Sequence, residues 1–462
     1  MTGATEAVAT FISRTSLAAL PADAPEKAAK AIADTFAVML AGAGSEVREP
    51  LLRYANAGHE RGPVPLLGTG LSASPETAAL VNGTFAHGLD YDDVLAIMPG
   101  HPSAVILAAA LASLDGERVS GKAFIEAYVL GIEVGGKIGI GMTQGHYHRG
   151  FHATGTLALF SAMAALAKLH RLDVAATRQA FGIAASMASG LRRNFGTMTK
   201  PLHTGIAARS ALTALRLAQS GFTAAPDILE APAGFFAAYG VEDSDPEAVA
   251  SGLGRPFVIS DPGLALKKFP CCYATHRAMD GLLALRSKLG FDAGNVESIV
   301  CKMPPGGMKV LTYPRPATGL EGKFSLPYTL AAGALDGGYT LESFTDAAVR
   351  RPEIERLYQR IQAGEDASSR GDDPRFDKQS SGSRGFVEVE VKLRDGRSDR
   401  VRVDKAPGSP SRDLTWDELR GKFMDCARHS GHVPDKPATE AFEKIKKLEQ
   451  ADDIGKIIDL LR

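Results

Sequence analysis

The stretch 154-TGTLALFSAMAALAKL-169 decides the fold of the larger part of this chain. Alanine, leucine and methionine favour the helical conformation. Apolar residues on nearly every side of a helix indicate that the helix is buried. Small residues such as Gly155, Ala158 and Ala162 allow neighbouring helices to approach closely. The stretch therefore predicts a helix in the interior of a helical domain.

Stretches of similar composition recur through the first half of the chain. They cover residues 104–114, 124–132 and 206–219. Gly221 follows the last of them, and a glycine just after a helix is a common stop signal. We therefore predict that residues 1–265 form one large helical domain.

The pattern changes later in the chain. Residues 386–393 read FVEVEVKL, and this period of two predicts a strand with one buried face. Asp395-Gly396 follows and predicts a type I′ hairpin turn. Residues 266–410 are therefore expected to form a smaller α+β domain with an antiparallel hairpin. Residues 411–462 are helical in pattern and are expected to return to the first domain, so the predicted class is mainly α with an inserted α+β domain.

Charge and hydropathy exclude some functions. The chain has 462 residues, 52 basic and 53 acidic side chains and a formal net charge of −1. This balance gives no reason to expect nucleic acid or a membrane as a partner. Residues 1–30 lack a signal-peptide pattern, and the longest apolar run, residues 104–114, is too short to span a bilayer. The expected location is the cytoplasm.

The cysteines argue against a metal cluster. Of the four cysteines, Cys271 and Cys272 are adjacent, Cys301 and Cys426 are isolated, and no C-x-x-C pair occurs. A disulfide framework, a cysteine-rich zinc site and an iron–sulfur cluster are therefore not expected. The cysteines therefore give no support for a metal-dependent reaction.

The first candidate site combines His87, the run Asp90-Tyr91-Asp92-Asp93, and His101. Carboxylates this close together could bind magnesium, as Asp-rich turns do in helical enzymes that hold diphosphates. They could instead cap a helix and face solvent. A third possibility is that one aspartate orients a catalytic histidine or lysine. The residues alone leave all three open.

The second candidate is the segment containing His146, His148 and His152. Three histidines in seven residues could bind zinc, but a fourth ligand is not evident. Each could also be structural. His152 directly precedes a predicted helix, where the neutral imidazole is favoured. That form suits a general base or a hydrogen-bond donor to a substrate.

The third candidate is Lys200 with His203, at the start of another predicted helix. They could be a surface lysine and a capping histidine. A helix N-terminus with a lysine and a histidine also makes an anion site, and we favour carboxylate binding there. Lys267 lies at the predicted domain junction, where ligand sites are common, and could bind a second carboxylate.

Several of these motifs occur in one order that resembles the MmgE/PrpD family. The resemblance runs from the N-terminal helices to about Leu461. It rests on Asn82-Gly83, His87, residues 90–93, His101-Pro102-Ser103, residues 151–154, residues 195–203 and Lys267-Lys268-Phe269-Pro270.

The resemblance implies a helical domain, an inserted α+β lid, a homodimer and no cofactor. By motif matching it implies active-site positions at Asp93, His101, His152, Lys200, Lys267 and Tyr328. We expect Lys200 and Lys267 to clamp the carboxylates of a small di- or tricarboxylate, with His203 in support. His101 and His152 are expected to act as base and acid, and Asp93 to orient His101.

Family membership leaves the reaction open. Residues 91–93, 145–147 and 196–205 resemble the epimerase branch most, so the resemblance favours an epimerase of the iminodisuccinate type. The alternative is a lyase of the 2-methylcitrate dehydratase or cis-aconitate decarboxylase type, although the decarboxylase carries a histidine where this chain has Cys272. A more remote alternative is a magnesium-dependent helical enzyme that uses Asp90, Asp92 and Asp93.

Overall fold

A computed structural model describes residues 3–57, 62–114, 116–374 and 376–462. The chain divides into two compact units. The first comprises residues 1–194, 199–264 and 415–462, and the second comprises residues 195–198 and 265–414. The prediction of a mainly helical protein with a smaller sheet-containing part is confirmed.

The first unit is built from helices. Before the second unit they are α1 Ala4–Arg14, α2 Ala24–Ala43, α3 Arg48–Ala57, α4 Pro75–His87, α5 Pro102–Ser113, α6 Gly121–His148, α7 Ala153–Thr156, α8 Ala158–Leu169, α9 Val174–Ala185, α10 Thr199–Gln219, α11 Phe235–Tyr239 and α12 Pro246–Gly252. Every residue of α5 is buried, as expected for a helix that is apolar on all sides. The stretch 154–169 is helical but divided, because α7 ends at Thr156 and α8 begins at Ala158.

This unit also contains a short pair of strands that was not predicted from the sequence. Strands β1 Val64–Leu66 and β2 Leu71–Ala73 pair antiparallel. Between them Gly68 and Gly70 have φ of 71° and 70°, a conformation that glycine adopts without strain. Three residues per strand are too few to establish a period of two, so the alternation was not detectable.

Two glycines bring α4 and α10 together. A Cβ on Gly83 would lie 2.9 Å from the Cα of Gly205, and a Cβ on Gly205 would lie 2.1 Å from the carbonyl oxygen of Leu80. Larger residues would push the helices apart. The close packing lets the end of α4, at His87, meet the start of α10, at Lys200.

The second unit contains a four-stranded sheet. Its helices are α13 His276–Leu289, α14 Gly319–Gly322, α15 Leu326–Asp336, α16 Asp346–Val349 and α17 Pro352–Tyr358. Its strands are β3 Val296–Met303, β4 Ile361–Glu365, β5 Val387–Leu393 and β6 Ser398–Val403, in the order β4-β3-β5-β6. The β3–β4 pair is parallel and the others are antiparallel. The predicted strand and its antiparallel return strand are confirmed.

The hairpin turn differs from the prediction. Leu393 donates its main-chain N–H to Arg397, which leaves three residues in the loop. Gly396 has a φ of 90°, whereas Asp395 is not among the residues with positive φ. A type I′ turn needs positive φ at both central residues, so the loop is a three-residue connection with its glycine in the left-handed region.

The chain returns to the first unit through α18 Trp416–Ser430, α19 Asp435–Lys446 and α20 Gly455–Ile458. Helices α18 and α19 pack against α2. Within the described parts of the chain, no helix combines the length and apolar character needed to cross a membrane.

Candidate active site

Buried polar side chains converge where α4, α5, α7 and α10 present their ends. We call them the histidine–lysine cluster: His87, Asp90, Asp92, His101, His152, Lys200 and His203. His87 is the last residue of α4, His101 immediately precedes α5, and His152 immediately precedes α7. Buried polar groups require hydrogen-bond partners, and the side chains of the cluster provide hydrogen bonds and ion pairs to one another.

Lys200 lies at the centre of one half of the cluster. Its Nζ lies 2.6 Å from Asp90 Oδ1 and 2.8 Å from His87 Nε2, and the side chain is only about 5% exposed. His87 Nδ1 lies 2.8 and 2.9 Å from the two oxygens of Asp92. A neutral His87 that donates from Nδ1 to Asp92 and accepts at Nε2 from the Lys200 ammonium satisfies both contacts.

Asp90 reaches Lys200 because of its backbone. Its φ is 52°, in the left-handed region, and its main-chain N–H donates to the carbonyl of His87. Aspartate tolerates this conformation better than most residues other than glycine. The chain therefore turns sharply after α4 and directs a carboxylate back towards α10.

The backbone orients His101. Its Nδ1 lies 2.6 Å from the main-chain carbonyl oxygen of Asp93, and its main-chain N–H donates to Thr154 Oγ1 over 3.2 Å. A carbonyl oxygen can only accept, so Nδ1 carries the hydrogen. In the neutral ring the lone pair is then on Nε2, which lies 3.9 Å from Asp90 Oδ1. Nδ1 also lies 3.5 Å from Asp92 Oδ2.

Asp93 makes the expected contact with His101, but not through its carboxyl group. That group accepts a 2.6 Å hydrogen bond from Ser103 Oγ, which lies 2.6 Å from the Tyr128 hydroxyl. Burial raises the pKa of Asp93 to about 8, with nearby Asp92 and Asp34 adding to the effect and Ser103 opposing it. The side chain is thus a buried, largely protonated group, and its carbonyl holds the His101 tautomer.

His152 and His203 form a pair of neutral rings. Their Nδ1 atoms are 3.0 Å apart, so one ring donates and the other accepts. Burial, followed by the charge of Lys200, lowers the pKa of His152 well below its ordinary value. The same two causes lower the pKa of His203 to about 4. The expected neutral His152 is therefore explained by burial rather than by the four-residue α7, and the His203 ring contacts His152.

The neighbouring histidine His146 is structural. Its Nδ1 donates to the Tyr239 carbonyl over 2.9 Å, its Nε2 lies 2.8 Å from Thr156 Oγ1, and its ring stacks on Phe151 at 4.8 Å. Thr156 Oγ1 in turn donates to the carbonyl of His152. His146 thus supports the segment that carries His152 instead of joining it in a zinc site.

Among the described residues, two groups of buried side chains lie close enough together to bind a metal ion. Ligand atoms of His87, Asp90, Asp92 and His101 lie within 4.8 Å of each other, as do those of His87, His101 and His152. The predicted trio Asp90, Asp92 and Asp93 is not such a group, because the Asp93 carboxyl faces Ser103. The ammonium of Lys200, 2.6 Å from Asp90, also opposes a cation at that carboxylate.

Lys267 and Tyr328 belong to the second unit. Both are fully buried. The Tyr328 hydroxyl donates to the Ser343 carbonyl, and the ring lies in an apolar core with Cys271 and Met279. Burial raises the pKa of Tyr328. The structure thus brings Asp93, His101, His152, Lys200 and His203 together within the first unit and places Lys267 and Tyr328 in the second.

Some contributing residues carried no usable signal in the sequence. The roles of Ser103 and Thr154 were not predicted, although both residues lie in the motifs that carry the family resemblance. Asp34 and Lys422 form a buried ion pair of 2.6 Å beside the cluster, and Lys422 reaches Tyr91 across a large separation in the chain. Long-range pairs of this kind leave no local pattern.

Comparison with known proteins agrees with the two-part architecture. The MmgE/PrpD N-terminal domain matches residues 6–247, and the MmgE/PrpD C-terminal domain matches residues 269–449. The cis-aconitate decarboxylase of Mus musculus is 28% identical over 443 residues, covering 93% of this chain and 88% of the relative. The human cis-aconitate decarboxylase is 27% identical, covering 84% and 79%, and that of Aspergillus terreus is 24% identical, covering 99% and 96%.

The matched domains and the relatives define an enzyme of the isomerase or lyase type. The chain belongs to the MmgE/PrpD family. The epimerase favoured by the sequence analysis is not confirmed. The relatives are decarboxylases, so the lyase alternative has the better support.

Proposed function

We propose that this protein is a lyase that decarboxylates a small, multiply charged carboxylic acid of the cis-aconitate kind. The observation that carries the proposal is the buried Lys200 ammonium within a cluster of histidines, in a chain similar along most of its length to cis-aconitate decarboxylases. A tricarboxylate brings several negative charges into a low-dielectric site. A fixed ammonium is a direct means of stabilising them.

The chemistry requires one bond to break and one to form. The bond between a carboxylate carbon and its neighbour breaks, CO2 leaves, and the electron pair stays on the organic fragment as a delocalised carbanion. One proton must then be added to carbon. We assign to Lys200 the stabilisation of the negative charge on the substrate and on this intermediate. We assign to a histidine the delivery of the proton to carbon.

His101 is the better proton donor of the two candidate rings. Carboxylate oxygens of Asp92 and Asp90 lie 3.5 and 3.9 Å from its nitrogens, and these charges stabilise a protonated ring. Burial, followed by the charge of Lys200, lowers the pKa of His152, so its ring is neutral. Groups whose environments differ in this way commonly divide the acid and base roles. We therefore propose that His101 Nε2 delivers the proton. His152 contacts the substrate as a neutral ring.

His203 is assigned a supporting role. Its Nδ1 lies 3.0 Å from Nδ1 of His152, so the hydrogen shared between them determines which His152 nitrogen can donate to the substrate. Lys267 remains our candidate for a second carboxylate contact. We keep Tyr328 as a candidate on the family resemblance alone, since its hydroxyl already donates to Ser343.

The epimerase is the competing candidate. Two imidazoles, His101 and His152, have ring centroids 6.4 Å apart, and an epimerase needs proton carriers on two sides of one carbon. Epimerisation exchanges a C–H proton with solvent but releases no CO2. The two reactions can therefore be separated in a single experiment.

The test is incubation of the purified protein with cis-aconitate in deuterated water, followed by proton NMR and CO2 measurement. The expected result is CO2 release with one deuterium added to carbon per turnover. Candidate dicarboxylates and 2-methylcitrate are run in parallel. Solvent exchange without CO2 would support the epimerase, and loss of water from a hydroxy acid would support a dehydratase. Either result without CO2 release from cis-aconitate would overturn the proposal.

We further propose a homodimer, as the family resemblance implies. Analytical ultracentrifugation at micromolar concentration is expected to give twice the chain mass of 48.6 kDa. A stable monomer that retains full activity would refute it.

A further inference from the structure

We propose that Lys422, on helix α18 in the C-terminal part of the chain, is a positioning residue for the turn at residues 90–92. It acts by donating a hydrogen bond to the main-chain carbonyl of Tyr91, with Asp34 of α2 as its counter-ion. The inference concerns the cluster assigned above and its catalytic consequence rests on the proposed function.

The ammonium of Lys422 contacts both Tyr91 and Asp34. Its Nζ lies 2.8 Å from the carbonyl oxygen of Tyr91, 2.6 Å from Asp34 Oδ1 and 3.7 Å from the centroid of the Tyr91 ring. The side chains of Lys422 and Asp34 are 4% and 0% exposed. The group therefore sits between two helices and the turn, and each contact restricts where the turn can lie.

A buried ion pair is a poor means of stabilising a fold. Removing two charges from water costs about as much as their attraction returns, and apolar residues of similar volume often serve equally well. Helices α2 and α18 could therefore pack without these charges. What an apolar pair cannot supply is a donor for the Tyr91 carbonyl, and a buried carbonyl oxygen requires one.

Tyr91 lies between the two aspartates that hold the cluster. Asp90 contacts Lys200, and Asp92 contacts His87. A displacement of the turn at Tyr91 would move both carboxylates at once. Displacements of about 1 Å produced far from the chemistry can lower turnover about a hundredfold. Lys422 is thus placed to determine the geometry of the cluster without touching a substrate.

A matched pair elsewhere in the same unit provides the control. Lys137 Nζ lies 3.7 Å from Glu133 Oε1 and donates to the Pro256 carbonyl over 2.8 Å, and both side chains are at most 4% exposed. Glu133 accepts from the main-chain N–H groups of Gly254 and Val258. This pair has the same chemistry but fixes segment 254–258 instead of the turn.

The experiment compares Lys422→Met/Asp34→Asn with Lys137→Met/Glu133→Gln, each neutralising one buried pair. The readout is the nitrogen NMR spectrum of histidine-labelled protein, with His87 and His101 assigned from their glutamine variants. In the Lys422 variant the ring nitrogen resonances of His87 and His101 are expected to shift or broaden, while those of His146 stay unchanged. The control variant is expected to leave His87 and His101 unchanged.

The Asp34→Asn single variant separates the ion pair of Lys422 from its hydrogen bond to Tyr91. It removes the counter-ion but keeps Lys422 as a donor to the Tyr91 carbonyl, so both histidine resonances should change less than in the Lys422 variant. If the methionine variant does not fold, Lys422→Gln in the Asp34→Asn background replaces it, because its shorter chain withdraws the donor from Tyr91. Unchanged His87 and His101 resonances in a folded Lys422 variant would overturn the proposal. So would equal changes in the control or in Asp34→Asn.

Activity gives an independent readout. With cis-aconitate, kcat of the Lys422 variant is expected to fall about ten- to hundredfold, while kcat of the control stays within about threefold of the wild type. The NMR measurement needs no substrate. A wild-type protein that releases no CO2 would therefore refute the proposed reaction and leave the positioning role to be decided by the spectra.

Discussion

Lys200→Met tests the centre of the cluster. The change removes the ammonium that lies 2.6 Å from Asp90 and keeps most of the apolar stem. The Asp90 side chain is only 6% exposed, so its buried carboxylate would lose the ammonium of this ion pair. Removing one partner of a buried pair typically destabilises a protein by about 3–5 kcal/mol. We expect a loss of that size in the free energy of unfolding.

The partner variant Lys200→Met/Asp90→Asn removes both charges. Because burial of a carboxylate that has lost its ammonium causes most of the loss, the double variant should recover about 2 kcal/mol or more relative to the single variant. Stability is measured by urea unfolding. The fluorescence of Trp416, the single tryptophan, reports on the first unit, where its Nε1 donates to Glu26.

Activity should not recover with stability. The double variant still lacks the Lys200 ammonium that we propose binds the substrate. The free energy of binding of an unreactive dicarboxylate, measured by calorimetry, should therefore remain about 1.5–3 kcal/mol less favourable than in the wild type. The reasoning is refuted if the single variant is as stable as the wild type, or if the double variant is no more stable than the single. Recovery of tight binding in the double variant would refute the substrate role of Lys200.

Three further predictions concern proton transfer, pH and metals. His101→Gln should lower turnover by a factor on the order of 10² to 10⁴ while the dicarboxylate still binds in calorimetry; turnover near wild type would remove His101 from the reaction. Burial raises the pKa of Asp93 from 3.8 to about 8, so the folded protein keeps a proton that the unfolded chain releases. This contribution to stability is complete below about pH 4 and is lost as the pH rises through about 8; urea unfolding across that range should show a smaller pH dependence in Asp93→Asn. Because Lys200 already neutralises Asp90, dialysis against EDTA should leave activity intact, and recovery only on adding magnesium or iron would contradict this.

The helical part of the fold was readable because its signals are local. Alanine-rich stretches such as residues 154–169 and the alternation at residues 386–393 report burial within one element, and both are present as helix and strand. The β1–β2 pair and the three-residue hairpin loop were missed or misassigned. Strands of three residues carry almost no periodicity, and loop length depends on the register of the paired strands.

The candidate site was predictable as a set of residue types. Asp93, His101, His152, Lys200 and His203 are recognisable from motifs, and the structure places them together in the first unit. Which atom of each residue makes the contact was not predictable. The carbonyl of Asp93, and not its carboxyl group, holds His101, because the backbone path after α4 turns that carboxyl group towards Ser103.

Sequence by itself determined the class of the fold, the family and the residues available for acid–base chemistry, since each depends on patterns within short segments. Only the tertiary structure decided how those residues are arranged. The approach of α4 and α10 at Gly83 and Gly205 brings His87 to Lys200. Burial then makes His152 neutral, and Lys422 reaches Tyr91 from the C-terminal part of the chain. Distances between remote segments and their exclusion from water are properties of packing, which no local pattern in the sequence records.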